Sequence, residues 1–285
     1  MCSPRVLDLT DPSALKAFLG RHGLSANKRL GQHFLCSSRV VEAIAARLSS
    51  CRGVLEIGPG PGVITTRVSE FAEKTIAIEL DDSMLDALSE SAPKAEVRKA
   101  DALKVDLTAM LDELPEPRGL VSNLPYYITG PLLTRIAEAR SGYSKAILMM
   151  QKEVAERVLA PAKASERGSL SVYLQSQFQI SKVVSVPAGA FLPPPKVDSM
   201  VLEFIPLAVE RPAEFFRLVR LAFAQPRKTL ANNLAAGFNV PRDQALEWIQ
   251  GAGLGDLSRP QELELEAWDR LADAASGSQS GAAKE

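Results

Sequence analysis

Short runs with strand character alternate with longer amphipathic stretches over the first 150 residues of the chain. Helical patterns near 62–72, 106–113 and 130–139 fall between successive strand runs, and Asp81 or Asp82 is a suitable N-cap for a further helix. Alternation at this spacing predicts right-handed βαβ units and a parallel sheet. The strand runs are 54–58, 75–79, 95–101, 119–123 and 146–150.

The pattern changes after residue 168. A helical stretch near 169–178 precedes two strand runs, which flank a proline-rich loop and predict a closing antiparallel hairpin. Beyond Pro206 every periodic stretch is helical. We therefore predict an α/β protein with a mostly parallel sheet and a small C-terminal α-helical domain. The two strand runs are 180–186 and 200–205, and the later helical stretches lie near 212–225, 227–236, 241–251 and 260–274.

These changes of pattern divide the chain into four parts. We predict an N-terminal extension over 1–25, an α/β domain over 26–206 and a helical domain over 207–275. The segment 276–285 is rich in Ser, Gly and Ala, which predicts a disordered tail.

Composition excludes several classes of protein. The chain has 285 residues, of which 46% are hydrophobic and 24% charged, as in ordinary globular proteins. No apolar run approaches the roughly 20 residues that cross a bilayer, and residues 1–10 lack a secretory pattern. Three cysteines and two histidines without metal-ligand spacing predict no metal site. We expect a reduced, cytoplasmic protein.

The net charge of −1 hides an uneven distribution. Segment 21–52 holds six basic residues and one acidic residue, and segment 140–168 holds six basic and three acidic residues. Local basic patches of this kind bind phosphates even on a neutral chain, although each is also compatible with an ordinary solvated face.

The sequence EIGPGPG at 56–62 follows a predicted strand and precedes a predicted helix. Gly58, Gly60 and Gly62 permit a sharp turn and close approach of a ligand to the backbone. A tight turn without a ligand is the alternative interpretation.

Acidic residues end the next two predicted strands. Glu79 follows Gly58 by 21 residues, which is where nucleotide-binding α/β folds hold ribose hydroxyls. Asp101 can accept a hydrogen bond from an adenine amino group. Helix capping is the alternative for each carboxylate, and NAD is the competing cofactor. The G-x-G-x-G spacing departs from the G-x-G-x-x-G of NAD-binding folds.

The fourth predicted strand ends in Asn123, Leu124, Pro125 and Tyr126. The side-chain oxygen of Asn123 and the backbone oxygen of Leu124 can accept both hydrogens of a planar amine, which frees the nitrogen lone pair. Pro125 fixes the backbone, and Tyr126 offers a ring for a base, a contact worth about 1–3 kcal/mol. The alternative is a proline turn beside a core tyrosine. The tetrapeptide indicates methyl transfer to a nucleobase amine rather than NAD chemistry.

In this combination of motifs, the chain resembles the ribosomal RNA adenine dimethyltransferase family over residues 26–236. The matching segments are KRLGQHFL at 28–35, the glycine turn with Glu79 and Asp101, residues 123–126, QKEVAER at 151–157, the segment 191–199 and RKTLANNL at 227–234. The resemblance implies a Rossmann-like class I methyltransferase fold and S-adenosylmethionine as cofactor. It further implies dimethylation of N6 of two adjacent adenines in the 3′-terminal hairpin of 16S rRNA in the small ribosomal subunit. The sequence shows no obvious dimer element, so we expect a monomer.

The resemblance also implies roles for residues that spacing does not assign. His33 and Leu35 contact S-adenosylmethionine, and Phe191 sandwiches the flipped base opposite Tyr126. RNA binding falls to the pairs Lys28 and Arg29, and Arg227 and Lys228. The chain departs from the family in two places: His33 stands where asparagine is common, and Pro226 stands where another basic residue is usual.

A direct in-line transfer fits these residues, because the methyl donor is already activated and the tetrapeptide holds no His or Lys to act as a base. Three alternatives remain. A macrolide-resistance methylase of large-subunit rRNA shares the catalytic motifs, but the segment 227–234 favours the small-subunit enzyme. Methylases of protein glutamine or DNA adenine usually carry Asn-Pro-Pro-Tyr, which Leu124 does not match. An RNA-binding assembly factor without catalysis is disfavoured by the intact set of Glu79, Asp101 and Asn123.

Overall fold

The computed structural model describes residues 8–26, 31–225 and 227–281 of the chain. Contacts divide the chain into two compact units. The first comprises Met1–Ala155 and Gln179–Pro206, and the second comprises Glu156–Phe178 and Leu207–Glu285.

The second unit therefore includes 156–178, which the sequence analysis had placed in the α/β domain. The packing gives the reason. Val172 belongs to the apolar core of the helical unit. Arg211 donates to the backbone oxygen of Ser176 and pairs with Asp269 at 2.7 Å.

The main sheet confirms the predicted α/β class. In the part of the chain that is described, seven strands follow the order β4-β3-β2-β5-β6-β9-β7. Neighbours from β4 to β6 are parallel, and β9 runs antiparallel to β6. These strands are β2 (Gly53–Ile57), β3 (Lys74–Glu79), β4 (Glu96–Lys99), β5 (Arg118–Asn123), β6 (Lys145–Gln151), β7 (Phe178–Val186) and β9 (Ser199–Pro206), while β1 (Phe34–Leu35) pairs with β8 (Phe191–Leu192) in a separate ribbon.

Aspartate side chains cap three helical segments of the first unit, and one of them, Asp81, is a cap candidate from the sequence. Asp11 and Asp106 accept hydrogen bonds from the first turns of α1 and α5, and Asp81 caps a short 3-10 turn that leads into α4. The helices are α1 (Pro12–Arg21), α2 (Ser38–Leu48), α3 (Val63–Val68), α4 (Leu85–Ser91), α5 (Leu107–Asp112) and α6 (Thr129–Glu138). Helix α7 (Lys152–Leu159) spans the boundary between the units.

Helix α1 makes the described part of the predicted N-terminal extension a structural part of the first unit. Leu15, Phe18 and Leu19 are buried and belong to the same apolar cluster as Val54 of β2 and Val121 of β5.

The second unit is helical and encloses both tryptophans, Trp248 and Trp268. Its helices are α8 (Ser169–Gln175), α9 (Ala213–Ala222), α10 (Leu230–Phe238), α11 (Arg242–Gly251) and α12 (Leu265–Gly281). Helix α10 begins later than predicted because the Thr229 side chain caps it.

The predicted disordered tail is helical as far as it is described. Helix α12 continues to Gly281, beyond the predicted end of order at 275. A helix anchored by Trp268 and Leu271 extends without a new nucleation step, because each added residue gains one hydrogen bond. Residues 282–285 lie outside the described part of the chain.

Replacing Phe18 by alanine tests whether α1 belongs to the first unit. Phe18 is fully buried, so we expect Phe18→Ala to lower the free energy of unfolding by about 3–5 kcal/mol. Urea unfolding followed by circular dichroism measures it, because tryptophan fluorescence reports only the second unit. The exposed Lys16→Ala on the same helix is the control, with an expected change within about 0.5 kcal/mol. Equal stabilities of the two variants would contradict this assignment.

Candidate active site

A cavity opens where the carboxyl ends of the parallel strands meet. The strand order turns from β4-β3-β2 to β5-β6 at this point, and ligands of open α/β sheets bind at such a turn. Residues from the ends of β2, β3 and β5 and from the segment before β1 line the cavity.

Two glycines of the turn after β2 serve different purposes. Gly58 and Gly62 have φ of +69° and +88°, which favours glycine at both positions. A Cβ at Gly62 would lie 2.4 Å from Ser91 Oγ, so this glycine allows close packing on α4. A Cβ at Gly58 would have no described heavy atom within 4 Å, and Gly58 lines the cavity. The backbone at Gly58 is therefore open to a ligand.

The carboxyl group of Glu79 fixes the glycine turn. Its Oε2 accepts from Gly60 N at 3.0 Å, and its Oε1 accepts from the backbone N–H groups of Leu80 and Asp81, both at 2.9 Å. Burial raises the pKa of Glu79, and these backbone donors oppose the rise. Glu79 lines the cavity. Local capping, the alternative interpretation, is thus also present, and the ribose contact stays a prediction.

Asp101 lies two residues beyond the observed end of β4 and also lines the cavity. Its Oδ1 accepts from Leu103 N at 3.0 Å, and its Oδ2 lies 3.4 Å from Nζ of the exposed Lys104. The carboxyl therefore holds the turn after β4, and its contact with adenine remains a prediction.

The side chain of Asn123 is oriented with its oxygen unpartnered. Its Nδ2 donates to the backbone oxygen of His33 at 3.2 Å, which identifies that end of the amide as the nitrogen. Its Oδ1 is buried and has no hydrogen-bond partner among the described residues. An unmet acceptor of this kind costs about 1–3 kcal/mol. A ligand N–H group would recover that energy.

The rest of the tetrapeptide is firmly held. Leu124 N donates to Met149 O at 2.9 Å, and the Thr129 hydroxyl donates to Pro125 O at 3.1 Å. The Tyr126 hydroxyl forms a 2.8 Å hydrogen bond with Ser199 Oγ, and burial raises the pKa of this phenol.

The structure does not place Phe191 in the cavity. Phe191 is 3% exposed, pairs with Leu35 across the β1–β8 ribbon and packs in the core of the first unit. Tyr126 instead stacks on His33, with ring centroids 5.7 Å apart and an angle of 28° between the planes. His33 and Leu35 both line the cavity.

Sequence reasoning missed two residues that line the cavity. Glu56 in β2 is 2% exposed, and its Oε2 has no partner among the described residues. Burial raises its pKa to about 8; Thr65 opposes this rise, and the charge of Glu79 adds to it. A charged residue inside an otherwise apolar strand was the available signal. Tyr127 is the second missed residue: it lines the cavity and is 53% exposed. Its position directly after the tetrapeptide 123–126 was the available signal.

Two of the four predicted RNA-binding residues lie in the described part of the chain. Arg227 and Lys228 are exposed in the second unit, and Asn233 holds their loop by bonding both N and O of Gln225 at 3.1 Å. Lys28, Arg29 and Pro226 lie outside the described residues.

The family described as "Ribosomal RNA adenine dimethylase" matches residues 23–273. The chain belongs to this family. Family membership makes it a methyltransferase of adenine in ribosomal RNA and confirms the resemblance inferred from the motifs. The match continues beyond the predicted limit of 236 and covers α11 and much of α12.

Individual relatives of this dimethylase agree with the assignment. "Ribosomal RNA small subunit methyltransferase A" of Desulfitobacterium hafniense is 39% identical over 263 residues, which cover 88% of this chain and 93% of that protein. A dimethyladenosine transferase from Plasmodium falciparum superimposes with a TM-score of 0.72 and 28% identity, covering 84% and 96% of the two chains. The 23S rRNA methyltransferase ErmE superimposes with a TM-score of 0.65 and is 25% identical in sequence. The match covers 85% of this chain and 99% of ErmE.

Two classes of feature are absent from the described part of this dimethylase. No described helix has the length and apolar character to cross a membrane. No group of three or more His, Cys, Asp or Glu side chains among the described residues could hold a metal ion.

The buried Glu56 predicts how stability depends on pH. Its pKa rises on folding from 4.5 to about 8, so the folded protein keeps a proton that the unfolded chain releases. The stability contributed by this proton is complete below pH 4.5 and is lost as pH rises to about 8. Relative to Glu56→Gln, we expect the wild type to lose on the order of 1 kcal/mol of unfolding free energy per pH unit in this window.

Urea titrations of both proteins from pH 5 to 8 measure this difference. The exposed carboxyl of Asp86, changed in Asp86→Asn, provides the control for loss of a surface charge. Parallel stability profiles for the wild type and Glu56→Gln would contradict the prediction.

Proposed function

We propose that this dimethylase transfers methyl groups from S-adenosylmethionine to N6 of two adjacent adenines in the 3′-terminal hairpin of 16S rRNA, giving N6,N6-dimethyladenosine in the small ribosomal subunit. The observation that carries this proposal is the buried Oδ1 of Asn123 at the cavity, which has no hydrogen-bond partner among the residues that the structure describes. This oxygen can accept a hydrogen bond from an N–H group, and the adenine amino group supplies such a donor.

Family relatives favour the small-subunit substrate over the large-subunit one. The small-subunit methyltransferase of D. hafniense shares 39% of aligned residues, against 25% for the 23S rRNA methyltransferase ErmE. The segment 227–234 also resembles the small-subunit enzymes. Methylation of large-subunit rRNA is therefore the second candidate.

The cavity residues fit S-adenosylmethionine. The open space at Gly58 admits the ligand to the backbone, and Glu79 and Asp101 lie at successive strand ends. A carboxylate has about four lone-pair sites, and three on Glu79 receive backbone N–H groups. One therefore remains for a ribose hydroxyl. S-adenosylmethionine supplies an activated methyl group on a positively charged sulfur.

The residues of the tetrapeptide prepare the acceptor amine. Asn123 Oδ1 and the backbone oxygen of Leu124 accept its two hydrogens, which favours a tetrahedral nitrogen and stabilises its growing positive charge. Tyr126 stacks on the base, and the fixed backbone at Pro125 holds the acceptors in place. The nitrogen loses a proton to solvent after transfer, so the site needs no strong base. The target base must leave its helical stack to enter.

The substrate is a large RNA, and contacts outside the cavity hold it. Arg227 and Lys228 provide phosphate contacts from the second unit, with Lys28 and Arg29 contributing from the N-terminal segment. The enzyme acts as a monomer in the cytoplasm, where small subunits are assembled.

Replacing Asn123 by alanine tests the catalytic assignment. We expect Asn123→Ala to reduce methyl transfer to unmethylated small subunits by about 10²-fold or more, because one acceptor that favours the transition state is lost. Labelled S-adenosylmethionine followed by nucleoside analysis of the rRNA measures the product. Binding of S-adenosylmethionine and of the subunit provides the control, and both should persist.

The same assay separates the candidate functions. Dimethyladenosine near the 3′ end of 16S rRNA, lost in Asn123→Ala, supports the proposal. Product on protein-free large-subunit rRNA alone would replace it with the second candidate. Absence of product on both substrates, with tight subunit binding, would leave an RNA-binding assembly factor.

Asp101 and Asp106 form a matched pair for testing cofactor binding. Each carboxyl accepts from a backbone N–H group of the following turn, but of the two only Asp101 lines the cavity. We expect Asp101→Ala to weaken binding of S-adenosylmethionine about tenfold, the loss of one hydrogen bond to a charged group. Asp106→Ala should leave it unchanged. Calorimetry measures both affinities, and equal affinities would show that Asp101 is only a cap.

A further inference from the structure

The imidazole of His33 covers one face of the Tyr126 ring. The two rings stack at 5.7 Å between centroids, with 28° between their planes. His33 Nδ1 lies 2.8 Å from the backbone oxygen of Pro193, which holds the imidazole in this position. Tyr126 is the ring on which the acceptor base is expected to stack, so His33 lies where the base is needed.

The gap between these rings does not admit a base. Inserting a planar base between two rings needs about 7 Å, twice the contact distance of stacked carbon atoms. The observed 5.7 Å is shorter than this. A base that stacks on this face of Tyr126 must therefore displace the His33 side chain.

The backbone of His33 is also hydrogen-bonded to the amide that contains the predicted amine acceptor. His33 receives the Nδ2 hydrogen bond of Asn123 through its backbone oxygen, which places His33 beside the catalytic amide. Asn123 Oδ1, the unpartnered atom, belongs to the same amide group. The adenine amine and the His33 ring therefore compete for neighbouring space.

The ribbon geometry explains why His33 rather than Phe191 meets Tyr126. Leu35 and Phe191 are directly opposed in the β1–β8 ribbon, and His33 and Pro193 lie just outside its paired residues. Phe191 is buried in the core, and His33 occupies the position next to Tyr126.

The two attachments of His33 are separable. Its backbone oxygen orients Asn123, whereas its ring contacts Tyr126 and Pro193. A change of side-chain rotamer alone can uncover Tyr126 and leave the hydrogen bond to Asn123 in place.

We propose that His33 is a displaceable cover on Tyr126 that determines which acceptor bases enter, an inference that rests on the proposed function. Entry of a base breaks the stack of His33 on Tyr126 and the hydrogen bond of His33 to Pro193. Adenine compensates for both losses by stacking on Tyr126 and by donating its amino hydrogens to Asn123 and Leu124. A base without an amino group recovers only the stack and is rejected.

Kinetics of His33→Ala tests the cover. Removing the ring deletes the contacts that the base must displace, so we expect the KM for unmethylated small subunits to fall about three- to tenfold. Any change in the KM for S-adenosylmethionine should be smaller. His22→Ala, which replaces the other histidine of the chain outside the cavity lining, is the control and should leave both values unchanged.

Nuclear magnetic resonance tests the stack independently of turnover. With only two histidines, ¹³C-histidine labelling gives two sets of ring signals, and His22→Ala assigns them. We expect the His33 signals to be displaced upfield by the Tyr126 ring and to lose that displacement in Tyr126→Leu. In the wild-type protein, the His33 signals should also lose this upfield displacement when an unmethylated hairpin oligonucleotide binds.

The outcomes distinguish this proposal from the proposed function. A wild-type enzyme without methyl transfer to either rRNA contradicts the proposed function. An active enzyme whose His33→Ala variant has an unchanged or raised acceptor KM contradicts only the cover. A change confined to the KM for S-adenosylmethionine would make His33 a cofactor contact alone and would likewise overturn the proposal. Unmoved His33 signals on oligonucleotide binding would do the same.

Discussion

The parallel pairing of β2 with both β3 and β5 is the constraint on which the site depends. In this register Ile57 aligns with Ile78 on one side and with Ser122 on the other. The next residues of the three strands, Gly58, Glu79 and Asn123, are therefore level at one edge of the sheet. Residues 65 positions apart in sequence are brought together by backbone hydrogen bonds, not by side-chain attraction. Every residue of β2 is buried, as is typical of a central strand in a parallel sheet.

Polar groups that are costly to bury lie at or near this edge of the sheet. Glu56 is buried with a raised pKa, Glu79 is solvated by backbone N–H groups, and Asn123 leaves an oxygen unpaired. Each of these arrangements opposes folding to some degree, and the surrounding apolar packing offsets it. Polar groups that are held in place but incompletely satisfied are ready to interact with a ligand without further reorganisation. This is the property that positioning catalysis requires.

The two units contribute different kinds of recognition. The first contains the cavity in which we propose that the base and the cofactor bind, whereas the second presents exposed Arg227 and Lys228 on a loop held by Asn233. Phosphate contacts of this kind position an RNA without identifying its bases. Under the proposed function, base identity is read in the cavity, where His33 stacks on Tyr126 and its backbone oxygen accepts from Asn123.

The sequence by itself determined the α/β class and predicted that Gly58, Glu79, Asp101 and Asn123 lie at or shortly after strand ends, because motifs that follow parallel strands fall at one edge of the sheet. The tertiary structure decided what each group contacts. It placed Phe191 in the core and His33 on Tyr126, since the β1–β8 pairing joins segments more than 150 residues apart in a register that no local pattern encodes. It moved 156–178 into the helical unit through Val172 and Arg211. It also revealed the raised pKa of Glu56, which follows from burial on both faces of β2 and not from residue type.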